Sequence, residues 1–191
     1  MNQELATLIT EIDANVSHAE TITHALSDAQ FNWSPAPGRW SMAQCFMHLN
    51  VANSTEIPVI SAGIARGRER KITGEGPFTY GLLSRKLVAS QDLPVKKKFK
   101  APKLYVPPPH AGLDQTLAEY RRISAEFRRI AFTADGLDLA RVKCVLPVLP
   151  ALLRWLIRMP LGARFALLTT HDRRHLWQAE QVRHESNFPA A

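Results

Sequence analysis

Apolar residues recur at helical spacing from the start of the chain, with Leu5, Leu8, Ile9, Ile12 and Val16 on one face, and the pattern fades near Leu26-Ser27-Asp28. This predicts a first helix. The stretch Phe31-Asn32-Trp33-Ser34-Pro35-Ala36-Pro37-Gly38-Arg39-Trp40 cannot be helical throughout, because each proline removes a backbone donor and restricts the residue before it. It reads as a connector whose tryptophans pack down. Ser41-Met42-Ala43-Gln44 has the form of a capping box and opens a second helix through Met42, Cys45, Phe46, Leu49 and Ala52 towards Ile64, with Pro58 expected to kink or break it. Residues 67–112 are rich in Gly, Pro and Lys apart from a short helical candidate at 82–89. They read as a long crossover, and an insert of that size more often shapes a binding site than nothing.

A third helix resumes with Leu113, Leu117, Tyr120, Ile123 (or Ser124), Phe127 and Ile130, and Asp135-Gly136 ends it. A short amphipathic segment at 151–159 precedes Pro160, which suits the first turn of a last helix running to about His184. The expectation is an all-α fold: a four-helix bundle with a long crossover between helices 2 and 3, in one domain over residues 1–191. A chain of 191 residues that is 46% hydrophobic is long enough for one buried core.

Other classes of protein fit less well. Cys45 and Cys144 form no C-x-x-C pair, so neither a disulfide framework nor a thiolate zinc site is indicated, and a reducing cytoplasm suits them. The N-terminus is polar and acidic where a secretory signal would carry positive charge. The most apolar stretch, 145–170, is broken by Pro147, Pro150 and Pro160 and carries Arg154, Arg158 and Arg164, which argues against a transmembrane span. Leu82-Leu83 stand where a phosphate loop needs Lys and Ser/Thr, so the glycines at 76 and 81 make no such loop. The triplets Asn15-Val16-Ser17 and Asn53-Ser54-Thr55 lie inside helices, which argues against glycosylation. The net charge of +7 is densest in the lysine-rich run 96–103, read as a solvated loop with an anion-contacting surface as the alternative. No nucleic-acid motif accompanies it, and no specific nucleic-acid partner is expected.

The chemistry concentrates in histidines. The interior stripe of the last helix is read as Leu168, His171, His175, Gln178 (or Ala179) and Val182, with two imidazoles where a core would prefer leucine. Residues four apart are stacked one turn above the other, so both imidazoles can reach one ion. Left without partners, two buried imidazoles would cost about 1–3 kcal/mol each in unmet hydrogen bonding. His48 lies on or beside the apolar face of helix 2, and ligands from facing helices of a bundle converge in its core. His18, His24, His110 and His184 fall in polar or terminal contexts and read as surface residues.

Pro37-Gly38-Arg39-Trp40-Ser41-Met42-Ala43-Gln44 followed by His48-Leu49, together with His171-Asp172-Arg173-Arg174-His175-Leu176-Trp177-Gln178-Ala179, resembles the DinB/YfiT-like superfamily over nearly the whole chain. The resemblance implies a four-helix bundle with a long crossover, and a metal site at His48, His171 and His175. It further implies activities that include thiol-dependent transfer or isomerisation and metal-dependent hydrolysis, with no residue selecting among them.

Three neutral imidazoles leave a coordination position open, and all-nitrogen ligation suits zinc first, then nickel or ferrous iron. A water or thiol held there would become a nucleophile near neutral pH. No catalytic side chain is assigned. Asp172, one helical step from His171, is expected to orient a neighbour or to pair with an arginine at the surface, and Arg173 and Arg174 are expected to be exposed. Trp33, Trp40, Trp155 and Trp177 read as core aromatics, Trp40 with a second reading as a wall of the pocket, and Cys45 reads as a small buried hydrophobe. Three functions follow: a metal-dependent enzyme acting on a small molecule, with a low-molecular-weight thiol as cosubstrate or by hydrolysis; a bundle stabilised by metal without turnover; or an interaction module using its basic loop and the segment 151–159. Exposed helix faces would permit a homodimer.

Overall fold

A computed structural model describes residues 1–95, 101–146 and 158–190. Six α-helices are found among them: α1 (Gln3–Thr23), α2 (Asp28–Asn32), α3 (Met42–Glu69), α4 (Leu82–Gln91), α5 (Leu113–Thr133) and α6 (Leu161–Arg183). The long helices α1, α3, α5 and α6 form the bundle: α1 and α3 each pack on both α5 and α6. Local chemistry starts them where the sequence predicts. Ser41 accepts from the Gln44 amide at 3.2 Å while the Gln44 side chain accepts from the Ser41 amide at 3.1 Å, and Asn2 caps α1 by accepting from the Glu4 amide.

Several expectations need correction. Pro58 does not break α3, which runs unbroken from Met42 to Glu69. The proline and Ser54, whose carbonyl loses its helical donor, both lie on the exposed face, where water can satisfy that carbonyl. A second capping box, Ser27 with Gln30, starts the short helix α2 inside what reads as a connector. The end of the proposed amphipathic segment, Arg158 and Met159, is not helical. It belongs to strand β2 (Arg158–Pro160), antiparallel to β1 (Lys143–Val145) with Cys144 opposite Met159. Residues 151–157, including Trp155, and the lysines at 96–100 lie outside the described residues.

The core is two apolar halves with a polar layer between. Leu5, Leu8, Ile9, Ile12, Ile60, Phe127, Ile130, Phe165 and Leu168 form one half; Ala19, Ile22, Phe31, Met42, Phe46, Leu49, Tyr120, Leu176 and Val182 form the other. Each long helix changes from one to the other across buried polar residues: Asn15 in α1, Asn53 and Glu56 in α3, Ser124 in α5, Thr169 and Asp172 in α6. Their hydrogen bonds close across the bundle. Asn15 donates to the Thr169 carbonyl at 3.1 Å, Asn53 Nδ2 donates to both carboxylate oxygens of Asp172, and Arg164 Nε donates to Glu56 at 2.8 Å. A helix that slid by one turn would lose these partners, so the layer helps fix the register of α3 against α6.

Candidate metal centre

Beside this layer, on the α3–α6 seam, three imidazoles meet. His48 comes from the second turn of α3 and is 3% exposed. His171 and His175, one turn apart on α6, are partly buried. The interior stripe of α6 is Leu168, Asp172, Leu176, Ala179 and Val182, so the two histidines flank the core rather than occupying it. Ring centroids lie 5.1 Å apart for His48 and His171, and 4.6 Å apart for His48 and His175 and for His171 and His175. One ligand nitrogen of each lies within 4.8 Å of the others, so the three could hold a metal ion.

The Nε2 atoms of His48 and His171 are 3.2 Å apart. A tetrahedral ion with zinc-to-nitrogen bonds of ~2.0–2.1 Å sets its ligand nitrogens roughly 3.3 Å from one another, so this pair already stands at ligand spacing. Outer hydrogen bonds decide which nitrogen faces inward. A carbonyl only accepts, so His48 Nδ1, 2.8 Å from the Tyr105 oxygen, carries the proton and leaves Nε2 its lone pair. His175 Nδ1 donates in the same way to Gln178 Oε1 at 3.0 Å.

Burial holds all three rings in the neutral, ligating form. The pKa of His48 is lowered by burial against the opposing Tyr105 hydrogen bond. That of His171 falls to about 3 through burial, with added repulsion from His48, Arg174 and Arg164. That of His175 lies well below the ordinary value, again chiefly through burial.

Trp40 lies over the cluster, its ring 5.0 Å from His48 and stacked 5.8 Å from His175. It also walls an open depression of about 550 Å³ lined by residues 34–40 and Gln44. The pocket-wall reading of Trp40 therefore agrees with its position, while Trp33 packs against Phe188. Cys45 is fully buried, and its thiol is pushed far above the ordinary range. His24, His110 and His184 are exposed, and His18 is partly buried within 3.4 Å of Glu180.

The charged neighbours of the histidines differ from expectation. Asp172 is not at the surface and pairs with no arginine among the described residues: it is buried, accepts from Asn53 and from the Tyr120 hydroxyl at 3.2 Å, and has its pKa raised to about 7 by desolvation. Arg174 is buried rather than exposed, its Nη1 donating to the Ser90 carbonyl at 3.1 Å. Arg173 is partly buried and ion-paired with Asp92 at 3.0 Å and Glu11 at 3.4 Å. These contacts draw the end of α4 onto α6, so the crossover forms one side of the site. Tyr105, Gln178 and Asn53 were not expected as partners. Only Gln178, three residues after His175 on a helix, carried a local signal.

Compared with known proteins, the chain matches the sequence model of the DinB superfamily over residues 11–179, a span that holds the three histidines, Trp40 and Asp172. No curated protein and no solved structure matches it.

Proposed function

The chain belongs to the DinB superfamily, and from this and the histidine geometry we propose that it is a metal-dependent enzyme whose His48, His171 and His175 hold one divalent ion. Zinc is the first choice and nickel or ferrous iron the alternatives, since imidazole suits all three. The observation that carries the proposal is the 3.2 Å approach of two Nε2 atoms whose rings form no ion pair with a carboxylate among the described residues. Three neutral nitrogen donors leave room for an exchangeable ligand, the pattern of catalytic rather than structural zinc sites. When bound, such an ion supplies Lewis acidity, which brings the ionisation of a water or a thiol towards neutral pH.

The chain's own residues do the rest. The Tyr105 carbonyl and Gln178 Oε1 hold two of the ligands in the tautomer with Nε2 inward. Trp40 covers His48 and His175 and limits water on that side. The reaction class is transfer to a low-molecular-weight thiol or hydrolysis, on a small molecule admitted between the connector that carries Trp40 and the crossover that carries Tyr105.

A second reading, an ion that ties α3 to α6 without turnover, is favoured by the ligands coming from two packed helices. Metal analysis of untagged protein, followed by ester and amide hydrolysis and thiol-transfer assays with and without chelator, separates the two. One ion per chain with chelator-sensitive turnover supports the enzyme. An ion whose removal only lowers the melting temperature supports the tie, and absence of metal after incubation with zinc, nickel or iron removes both.

A further inference from the structure

At the far end of α3, about 27 Å along the helix from His48 by its rise of 1.5 Å per residue, five cations surround a recess of about 80 Å³: Arg66, Arg70, Arg141, Lys143 and Arg158. They come from three places in the fold. Arg66 and Arg70 are one turn apart at the C-terminal end of α3, Arg141 precedes β1, and Lys143 and Arg158 belong to the paired strands. Within the strand pair, Lys143 is opposite Pro160 and Arg158 is opposite Val145, so the two cations are diagonal neighbours on the face turned away from buried Cys144 and Met159.

The grouping is held close by construction. A Cβ on Gly63 would come within 2.6 Å of the Cys144 sulfur, and one on Gly67 within 2.8 Å of Val142. Only glycine at these two positions lets β1 lie directly on α3 and bring Lys143 up to Arg66.

Like charges one turn apart on a helix, or diagonal on a sheet face, repel. The arginines exposed along α5 are each paired with a carboxylate: Arg121 with Glu20, Arg122 with Glu119, Arg128 with Asp13 and Arg129 with Glu126. None of the five forms an ion pair with a carboxylate among the described residues. The negative end of the α3 dipole accounts for Arg66 and Arg70, but Arg141, Lys143 and Arg158 sit at no helix C-terminus. The Lys143 ammonium donates to the Ala140 carbonyl at 2.6 Å and one Arg66 nitrogen approaches the Lys143 carbonyl at 3.5 Å, which leaves the guanidiniums bordering the recess as the groups suited to the oxygens of a tetrahedral anion, which arginine binds through paired hydrogen bonds.

We propose that this recess is an anion site for a phosphoryl group, separate from the histidine cluster. The recess is too small for a nucleoside, so the group recognised is a phosphate or pyrophosphate moiety, carried either by a soluble compound or by a lipid headgroup.

The test is calorimetric titration of the full chain with pyrophosphate and with inorganic phosphate at matched ionic strength, beside sedimentation with phosphatidic acid and with phosphatidylcholine vesicles. Two pocket variants, Arg66→Gln/Arg141→Gln and Arg70→Gln/Arg158→Gln, are compared with Arg85→Gln/Lys86→Gln, which removes the same charge from exposed positions on α4. Using two independent pocket pairs guards against a folding defect in either. Saturable binding at one site per chain, weakened at least about tenfold in a folded pocket pair and unchanged in the α4 pair, is the expected result. Binding of free pyrophosphate points to a soluble ligand. Binding confined to phosphatidic acid vesicles, with the same loss in the pocket variants, points to a headgroup. No binding in either arm, or equal loss in the pocket and α4 variants, overturns the proposal.

Discussion

The Nε2 atoms of His48 and His171 face one another at 3.2 Å, while the opposite nitrogen of His48 donates its proton to the Tyr105 carbonyl. Without an ion, His171 must supply the proton between them; with one, both lone pairs point at the metal. If the proposed site holds the ion, His48→Ala removes the donor from α3 and leaves two histidines on α6. We expect zinc affinity to fall by ~100-fold or more, and the metal-dependent rise in melting temperature to vanish. At a free zinc concentration of 100 times Kd that rise corresponds to about 2.7 kcal/mol in the wild type. Competition with a chromophoric chelator measures the first and a thermal melt the second; an unaltered affinity would place the ion elsewhere.

Burial of the three imidazoles makes the metal-free protein acid-sensitive. Histidines in the unfolded chain protonate near the ordinary value of 6.5, whereas in the fold burial lowers all three, His175 well below that value and His171 to about 3. In that interval these histidines bind more protons in the unfolded chain, so their contribution to stability rises with pH. Lowering the pH from 7.5 to 5 should therefore remove about 2 kcal/mol of stability through His171 in the metal-free protein, against which Asp172 acts in the opposite sense over the same interval. Urea unfolding at both pH values would show it, and His171→Leu should flatten the dependence. A variant as acid-sensitive as the wild type would mean that His171 titrates normally.

Much of this was legible because it is local. Capping boxes, the 3.6-residue apolar period and a histidine pair four apart are all written within a few residues of each other, and they place α1, α3, α5, α6 and two of the three clustered histidines. What escaped depends on distant partners. Asp172 reads as a surface acid because its burial is compensated by Asn53 and Tyr120, on other helices. The acceptor that orients His48 is a backbone carbonyl 57 residues away, and a carbonyl has no residue signature. Arg174 looks exposed until α4 is folded against it, and a pair of three-residue strands is too short to show alternation.

Asp172 titrates in the opposite sense to the histidines. Its carboxyl, raised to about 7 by desolvation, holds a proton in the fold between the unfolded value of 3.8 and about pH 7. Its contribution to stability therefore declines as pH rises through that window, and above it the buried charge is a standing penalty. Asp172→Asn removes the charge. Its new amide can donate to Asn53 Oδ1, which is buried without a hydrogen-bond partner among the described residues. At pH 8 we expect this variant to match or exceed the wild type by roughly 1–2 kcal/mol. Asp172→Ala, which strands Asn53 and the Tyr120 hydroxyl, should lose about 2–4 kcal/mol. Denaturant unfolding of both at pH 8 decides the point: equal destabilisation would show that the carboxylate itself is needed.

Glu56 and Arg164 form the fully desolvated ion pair of the polar layer, 4% and 3% exposed, with the Arg164 fork on both carboxylate oxygens. Two charges brought out of water together roughly cancel their own desolvation, but either alone cannot. Arg164→Met should therefore cost about 3–5 kcal/mol by leaving Glu56 buried and unpaired. Adding Glu56→Leu to it should recover most of that loss, because the apolar halves on either side can close over two hydrophobes. If the pair served stability alone, the double variant would keep full metal affinity. If it also fixes the register of α3 against α6, His48 will no longer stand opposite His171, and zinc binding will weaken although the fold is restored. Urea unfolding and zinc titration of the same double variant read the two effects separately.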